Sequence, residues 1–244
     1  MNILERLHAG LIVSCQASAD SPLRDSSMMA AMARAALAGG AVGIRANGPE
    51  DIRAIRAAVH LPIIGIYKQI VPEYDVYITP TLEAAAEVVQ AGTDILALDA
   101  TLRPHPSGLT PQDLIQTCKG KFGLPVMADI STLEEALAAA EAGADLVATT
   151  LVGYTAYTRQ RPLPDFELVA QLVKQAPVPT VVEGHIHSPD DARRALELGA
   201  FAVVVGAAIT QPDWITAKFV ESLKILSSSK VSGDKEVERI ISAG

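Results

Sequence analysis

Four stretches of the chain repeat one pattern: small residues at helical spacing, a glycine, then a short apolar run. They read ALAGGAVGIRA, VQAGTDILALD, AEAGADLVATT and LELGAFAVVVG, with Gly40, Gly92, Gly143 and Gly199 at the break. The intervals of 52, 51 and 56 residues each fit two strand–helix units of about 25–30 residues. Glycine suits a helix end because, lacking Cβ, it enters the left-handed conformation that satisfies the last carbonyls. Between these stretches lie AGLIVSC, LPIIGIYK, LPVMADI and VPTVVEG, three of them carrying a proline just ahead of the apolar run, at Pro62, Pro125 and Pro179. Proline is tolerated there because its missing N–H precedes the ladder. Interleaved, the two sets predict eight strands near residues 11–15, 42–46, 62–67, 94–98, 124–129, 145–149, 179–183 and 201–205. All are short, β-branched and apolar on both faces, as parallel strands covered by helices must be.

Helix starts fall between them. Ser131 to Glu134, Thr110 to Asp113 and Ser188 to Asp191 each set a hydroxyl three residues before a carboxylate, with Pro111 and Pro189 at the first turn of two. A doubly wound open sheet shares this local alternation, but eight units in 244 residues match a (β/α)₈ TIM barrel in a single domain. The expected catalytic domain spans residues 1–226. Residues 227–244 change to Ser, Lys and Gly and read as a C-terminal tail, partly helical or mobile.

With 49% apolar residues the chain is globular rather than disordered, and its net charge of −8 opposes attraction to nucleic acid. Cys15 and Cys118 are too few for a disulfide framework or a four-ligand zinc site. The opening MNILERLHAGLIVSC lacks the apolar length of a signal core or membrane span, so no membrane and a cytoplasmic location are expected.

In a barrel of this kind the active site lies at the C-terminal strand ends. There the apolar runs break at Cys15-Gln16, Arg45, Lys68, Asp99, Asp129, Thr149-Thr150, Glu183 and Gly206. A lysine at such a position serves as Schiff-base nucleophile or proton-transfer base. Either use needs the free amine, hence a pKa lowered from about 10.4 by burial or by a cation such as Arg45. The competing reading pairs Lys68 with Asp129 for structure. Glu183 closes an otherwise dry strand and fits a general acid/base better than a structural partner. Gly184 and Gly206 stand in the loops after strands 7 and 8, where barrels bind phosphate through backbone N–H groups; they also fit plain tight turns. His185 and His187 have no third ligand at metal spacing, so no metal is expected. Cys15 lacks a nearby histidine and reads as packing. Residues 39–43, GGAVG, lack dinucleotide spacing.

The segments CQA with Pro22-Leu23, GIRANGPEDI, PIIGIYK, YITPT, ALDAT, MADIST, GADLVATTLVGYT and VVEGHIHSPDDA occur in this order. Together they resemble the N-acetylmannosamine-6-phosphate 2-epimerases from about residue 10 to residue 215. The resemblance implies a cofactor-free homodimeric barrel of bacterial sialic acid breakdown, acting on a phosphorylated N-acetylated amino sugar. It places Lys68 and Glu183 at proton-transferring positions and Gln16, Arg45 and Asp129 at substrate-binding and charge-positioning ones. Gly184, Gly206 and Ala207 fall in phosphate loops, with Asp129 expected to orient the Lys68 ammonium. One departure is Gln211, where that family commonly has arginine. Two other readings fit the same residues: a Schiff-base aldolase using Lys68, and a sugar-phosphate-binding barrel without catalysis.

Overall fold

The computed structural model describes residues 2–224. Eight parallel strands, each hydrogen-bonded to the next, close into a barrel as β8 pairs with β1. They are β1 Leu11–Cys15, β2 Gly43–Asn47, β3 Ile63–Ile66, β4 Ile95–Asp99, β5 Val126–Asp129, β6 Leu146–Ala148, β7 Thr180–Glu183 and β8 Ala202–Val205. Helices α1 Ser26–Ala38, α2 Pro49–Ala58, α3 Leu82–Gln90, α4 Pro111–Phe122, α5 Leu133–Glu141, α6 Phe166–Gln175 and α7 Pro189–Glu197 follow the first seven strands. After β8 comes only the four-residue α8, Ala207–Thr210, and then a helical stretch, 212–224, that is mostly exposed. The expected tail, 227–244, lies outside the described residues.

Each expected strand is present to within two residues. Pro62, Pro125 and Pro179 stand just before β3, β5 and β7, and their carbonyls still serve the sheet by accepting from Ile44, Leu96 and Val147. Thr110 and Ser188 cap α4 and α7 as the pattern requires, Ser188 in a reciprocal capping box with Asp191. At α5 the cap is one residue later than expected, Thr132 with Glu135. The shift follows from the buried Glu135 carboxylate, which accepts from the Ser131 N–H at 2.7 Å, its hydroxyl at 2.8 Å and the Thr132 N–H at 3.0 Å.

Strand side chains alternate between two cores. Outward residues such as Val13, Ile44, Ile63, Leu96, Leu98 and Val147 pack beneath the helices. Inward residues Ile12, Ile64, Ile66, Ile95, Ala97, Met127, Leu146, Ala148, Val181, Ala202 and Val204 fill the barrel. The same period of two carries the inward face on to Ser14, Arg45, Lys68, Asp99, Asp129, Thr150, Glu183 and Gly206. Polar chemistry therefore gathers at one mouth.

Candidate active site

A cavity of about 500 Å³ opens at that mouth. Gln16, Arg45, Lys68, Glu183, Gly184, Gly206 and Ala207 line it. Asp129 is fully buried and holds Arg45 from below: its two oxygens accept from the guanidinium at 3.1 and 2.5 Å, and the Thr150 hydroxyl donates to it at 2.7 Å. The partner of Asp129 is thus Arg45, not Lys68 as expected, because the planar fork matches a carboxylate with two parallel bonds. Arg45 also donates to Glu183 at 2.6 Å, so one cation with no exposure, from β2, ties the carboxylates of β5 and β7 across the barrel. Thr149 fixes the Glu183 backbone, accepting from its N–H at 3.0 Å and donating to its carbonyl at 2.8 Å.

Lys68 lies two residues beyond β3, where it bridges to Ile78 and its N–H donates to the Asn47 side chain at 2.8 Å. Its ammonium makes no ion pair among the described residues. Burial first, and the Arg45 charge second, hold its pKa below the usual lysine value, with Glu183 and Asp129 opposing. Burial pushes Glu183 up to about 7, against Arg45 and with help from Asp129. Arg45 is driven the other way: burial disfavours its charge, but Asp129 and Glu183 outweigh that and raise its pKa. The site thus holds an amine inclined to give up its proton beside a carboxyl inclined to keep one.

Not every strand-end residue reaches the cavity. Asp99 is fully buried but turns to Arg103 at 2.7 Å and to Thr101, and burial raises it to about 6. Cys15 is buried with its thiol pushed up to about 12, which removes it as a nucleophile. Gln16 donates to the Ser14 hydroxyl at 2.9 Å and leaves its carbonyl oxygen buried and unpartnered. Gly184 adopts φ +92°, a conformation a side chain would strain. Tyr77, Tyr154 and Trp214 also line the cavity, as do His185 and His187. The tyrosines and Trp214 come from long connections or the segment after α8, where no periodicity marks them.

A family model described as "Putative N-acetylmannosamine-6-phosphate epimerase" matches residues 29–225. The chain belongs to this family. A curated relative from Thermosynechococcus vestitus, named "Putative N-acetylmannosamine-6-phosphate 2-epimerase", is 53% identical over 92% of this chain and 97% of its own. Another of the same name, from Caldanaerobacter subterraneus, is 49% identical over 92% and 95%. The solved structure of the N-acetylmannosamine-6-phosphate 2-epimerase from Clostridium perfringens superposes with a TM-score of 0.87 at 44% identity, covering 91% of this chain and 96% of that one. A thiamine phosphate pyrophosphorylase from Pyrococcus furiosus, at 20% identity and a TM-score of 0.59, shares the fold alone.

Proposed function

We propose that this chain interconverts N-acetylmannosamine 6-phosphate and N-acetylglucosamine 6-phosphate by moving a proton at C2. The observation that carries this reading is the pairing, in one cavity, of a lysine whose pKa is lowered and which makes no ion pair among the described residues with a partly buried carboxyl raised to about 7. In the open-chain sugar the C1 carbonyl makes the C2 hydrogen acidic, since the electron pair left behind delocalises into it. The neutral Lys68 amine takes that proton from one face, and the Glu183 carboxylic acid returns one to the other. Lys68 is then an ammonium and Glu183 a carboxylate, the protonation state from which the reverse reaction starts. Arg45, locked by Asp129, offers positive charge to the developing oxyanion without having to reorient. Gln16 receives a hydroxyl or amide of the sugar, and Gly184, Gly206 and Ala207 bring backbone to the phosphate, which aligns C2 from a distance.

Incubating the protein with N-acetylmannosamine 6-phosphate in heavy water, followed by NMR, tests the reading. Product carrying deuterium at C2 is expected, and product retaining the original hydrogen would defeat it. Covalent trapping by borohydride would instead reveal Schiff-base chemistry at Lys68. Arg45 ties Glu183 firmly, which favours one further arrangement: if Glu183→Gln still exchanges C2 hydrogen at an undiminished rate, Lys68 serves both faces alone.

The enzyme works as a homodimer in the cytoplasm. Support for the dimer comes from the outside of β8 and β1, where Leu11, Ala192, Leu196, Val203, Val205 and Ile209 line an apolar groove of about 310 Å³. Helix 212–224, meanwhile, exposes Phe219, Val220 and Leu223. No described helix is long and apolar enough to cross a membrane.

A further inference from the structure

The cavity has one cationic wall and one without fixed charge. Arg45 and Lys68 stand on the first, and Arg45 is held by Asp129 and Glu183 at the proposed C1–C2 end of the site. The opposite wall comes from the loop after β7 and the segment after β8. Among its lining side chains only His185 and His187 can carry positive charge. Their rings run in a line across the wall: Tyr154 stacks on His185 at 5.0 Å, His185 meets His187 edge-on at 6.1 Å, and His187 meets Trp214 at 4.7 Å. Gln211 lines the same wall. His185 occupies the left-handed region at φ +58°, costly for a side chain of its size, and its Nε2 is buried without a partner.

Accepting the substrate class proposed above, we infer that His185 and His187 are the phosphate-recognition side chains of this cavity. Their imidazolium N–H groups donate to the phosphate monoester beside the Gln211 amide, so the phosphate grip loosens as the histidines lose their protons. The groups facing the pair agree with this. His185 meets Tyr154 and the backbone at Val152 and Gly153 from the loop after β6, and His187. His187 meets Asp191 of α7, but that carboxylate accepts from the His187 and Ser188 N–H groups and the Ser188 hydroxyl, and so is committed to the helix cap. On the far side lies Trp214, with Lys218 5.8 Å from its ring and paired to Glu221. Neither imidazole is ion-paired with a carboxylate among the described residues, so an incoming phosphate supplies their counter-charge. Burial first, then the neighbouring His187, lowers His185, with a hydrogen bond to the Val152 backbone opposing.

The test is calorimetric binding of N-acetylglucosamine 6-phosphate to the wild type, His185→Gln, His187→Gln and the double variant, at about pH 6 and about pH 8.5. Unphosphorylated N-acetylglucosamine serves as control. Phosphate gains charge as pH rises through its second pKa of about 6, so the informative quantity is the ratio of wild-type to variant affinity at each pH. We expect the double variant to bind about tenfold or more weakly at the lower pH, the size of a lost charge-assisted bond, and the gap to close at the higher. The variants should raise KM far more than they lower kcat. A ratio equal at both pH values, or the same loss toward the unphosphorylated sugar, overturns the inference. Trp214, the single tryptophan, gives a second readout: its fluorescence titration with pH should shift to a higher midpoint when the sugar phosphate is added, and an unmoved midpoint counts against it. Tight, histidine-dependent binding without turnover would sink the epimerase reading and leave this one standing. Normal turnover with a flat ratio would do the reverse.

Discussion

Arg45 keeps its charge at zero exposure only because Asp129 and Glu183 meet it with three short bonds. Removing one partner from such a buried set leaves charge uncompensated, which typically costs about 3–5 kcal/mol. Asp129→Asn should therefore lower unfolding free energy by about 3 kcal/mol in denaturant titrations and lose activity as well, because the guanidinium loses its anchor. Lys68 differs: its ammonium lines the cavity with no ion pair among the described residues, so Lys68→Ala should cut turnover by about 10²–10⁴ while leaving the thermal midpoint unchanged or higher. Glu183 leaves a signature in pH. Its folded pKa, about 7, lies above the unfolded carboxyl value, so the folded state holds the extra proton. Its contribution to stability is then fully present below the unfolded pKa and is lost as pH rises toward about 7. Glu183→Gln should flatten that part of the stability–pH profile, and an unchanged slope would place the raised pKa elsewhere.

Elements were legible wherever one physical rule governed a whole run. A strand covered on both faces must be apolar throughout, so all eight strands could be read from composition, and the parity of their residues carried Arg45, Asp129 and Glu183 to the mouth. Parity alone could not see that Asp99 spends its charge on Arg103, or that Asp129 pairs with Arg45 rather than Lys68. Both are choices of partner made in three dimensions. Tyr77, Tyr154 and Trp214 sit where no period marks them. Close packing at element level is testable at Gly65 of β3, where an added Cβ would fall 2.6 Å from both Thr93 Oγ1 and Val88 Cγ1. Gly65→Ala should destabilise by about 1–3 kcal/mol through overpacking of α3 on the barrel. Thr132→Ala, which removes the α5 cap, should cost about 1 kcal/mol, measured by the shift in denaturation midpoint.

At the scale of the whole molecule the described helices leave an apolar groove outside β8 and β1, between α7 and α8. There α8 has four residues, and helix 212–224 leaves Phe219 71% and Leu223 65% exposed. The described residues thus carry an apolar groove and, on helix 212–224, an exposed apolar ridge. In the proposed dimer a second copy related by a two-fold axis would satisfy both at once, each ridge seating in the other's groove so that every contact occurs twice. Burying a Phe or Leu side chain is worth about 1.5–3 kcal/mol, so Phe219→Asp should weaken the dimer by twice that, about 10²–10⁴-fold in dissociation constant. Light scattering should give the mass of two chains for the wild type and of one for the variant at micromolar concentration; a monomeric wild type would refute the arrangement. The consequence reaches the site, because His187 lines both the groove and the cavity, and Ala208 and Ile209 of the groove follow directly on Ala207. In the proposed dimer, seating the partner's helix against them would restrain the wall that faces the phosphate. KM should accordingly rise on dilution below the dimer's dissociation constant, before kcat falls.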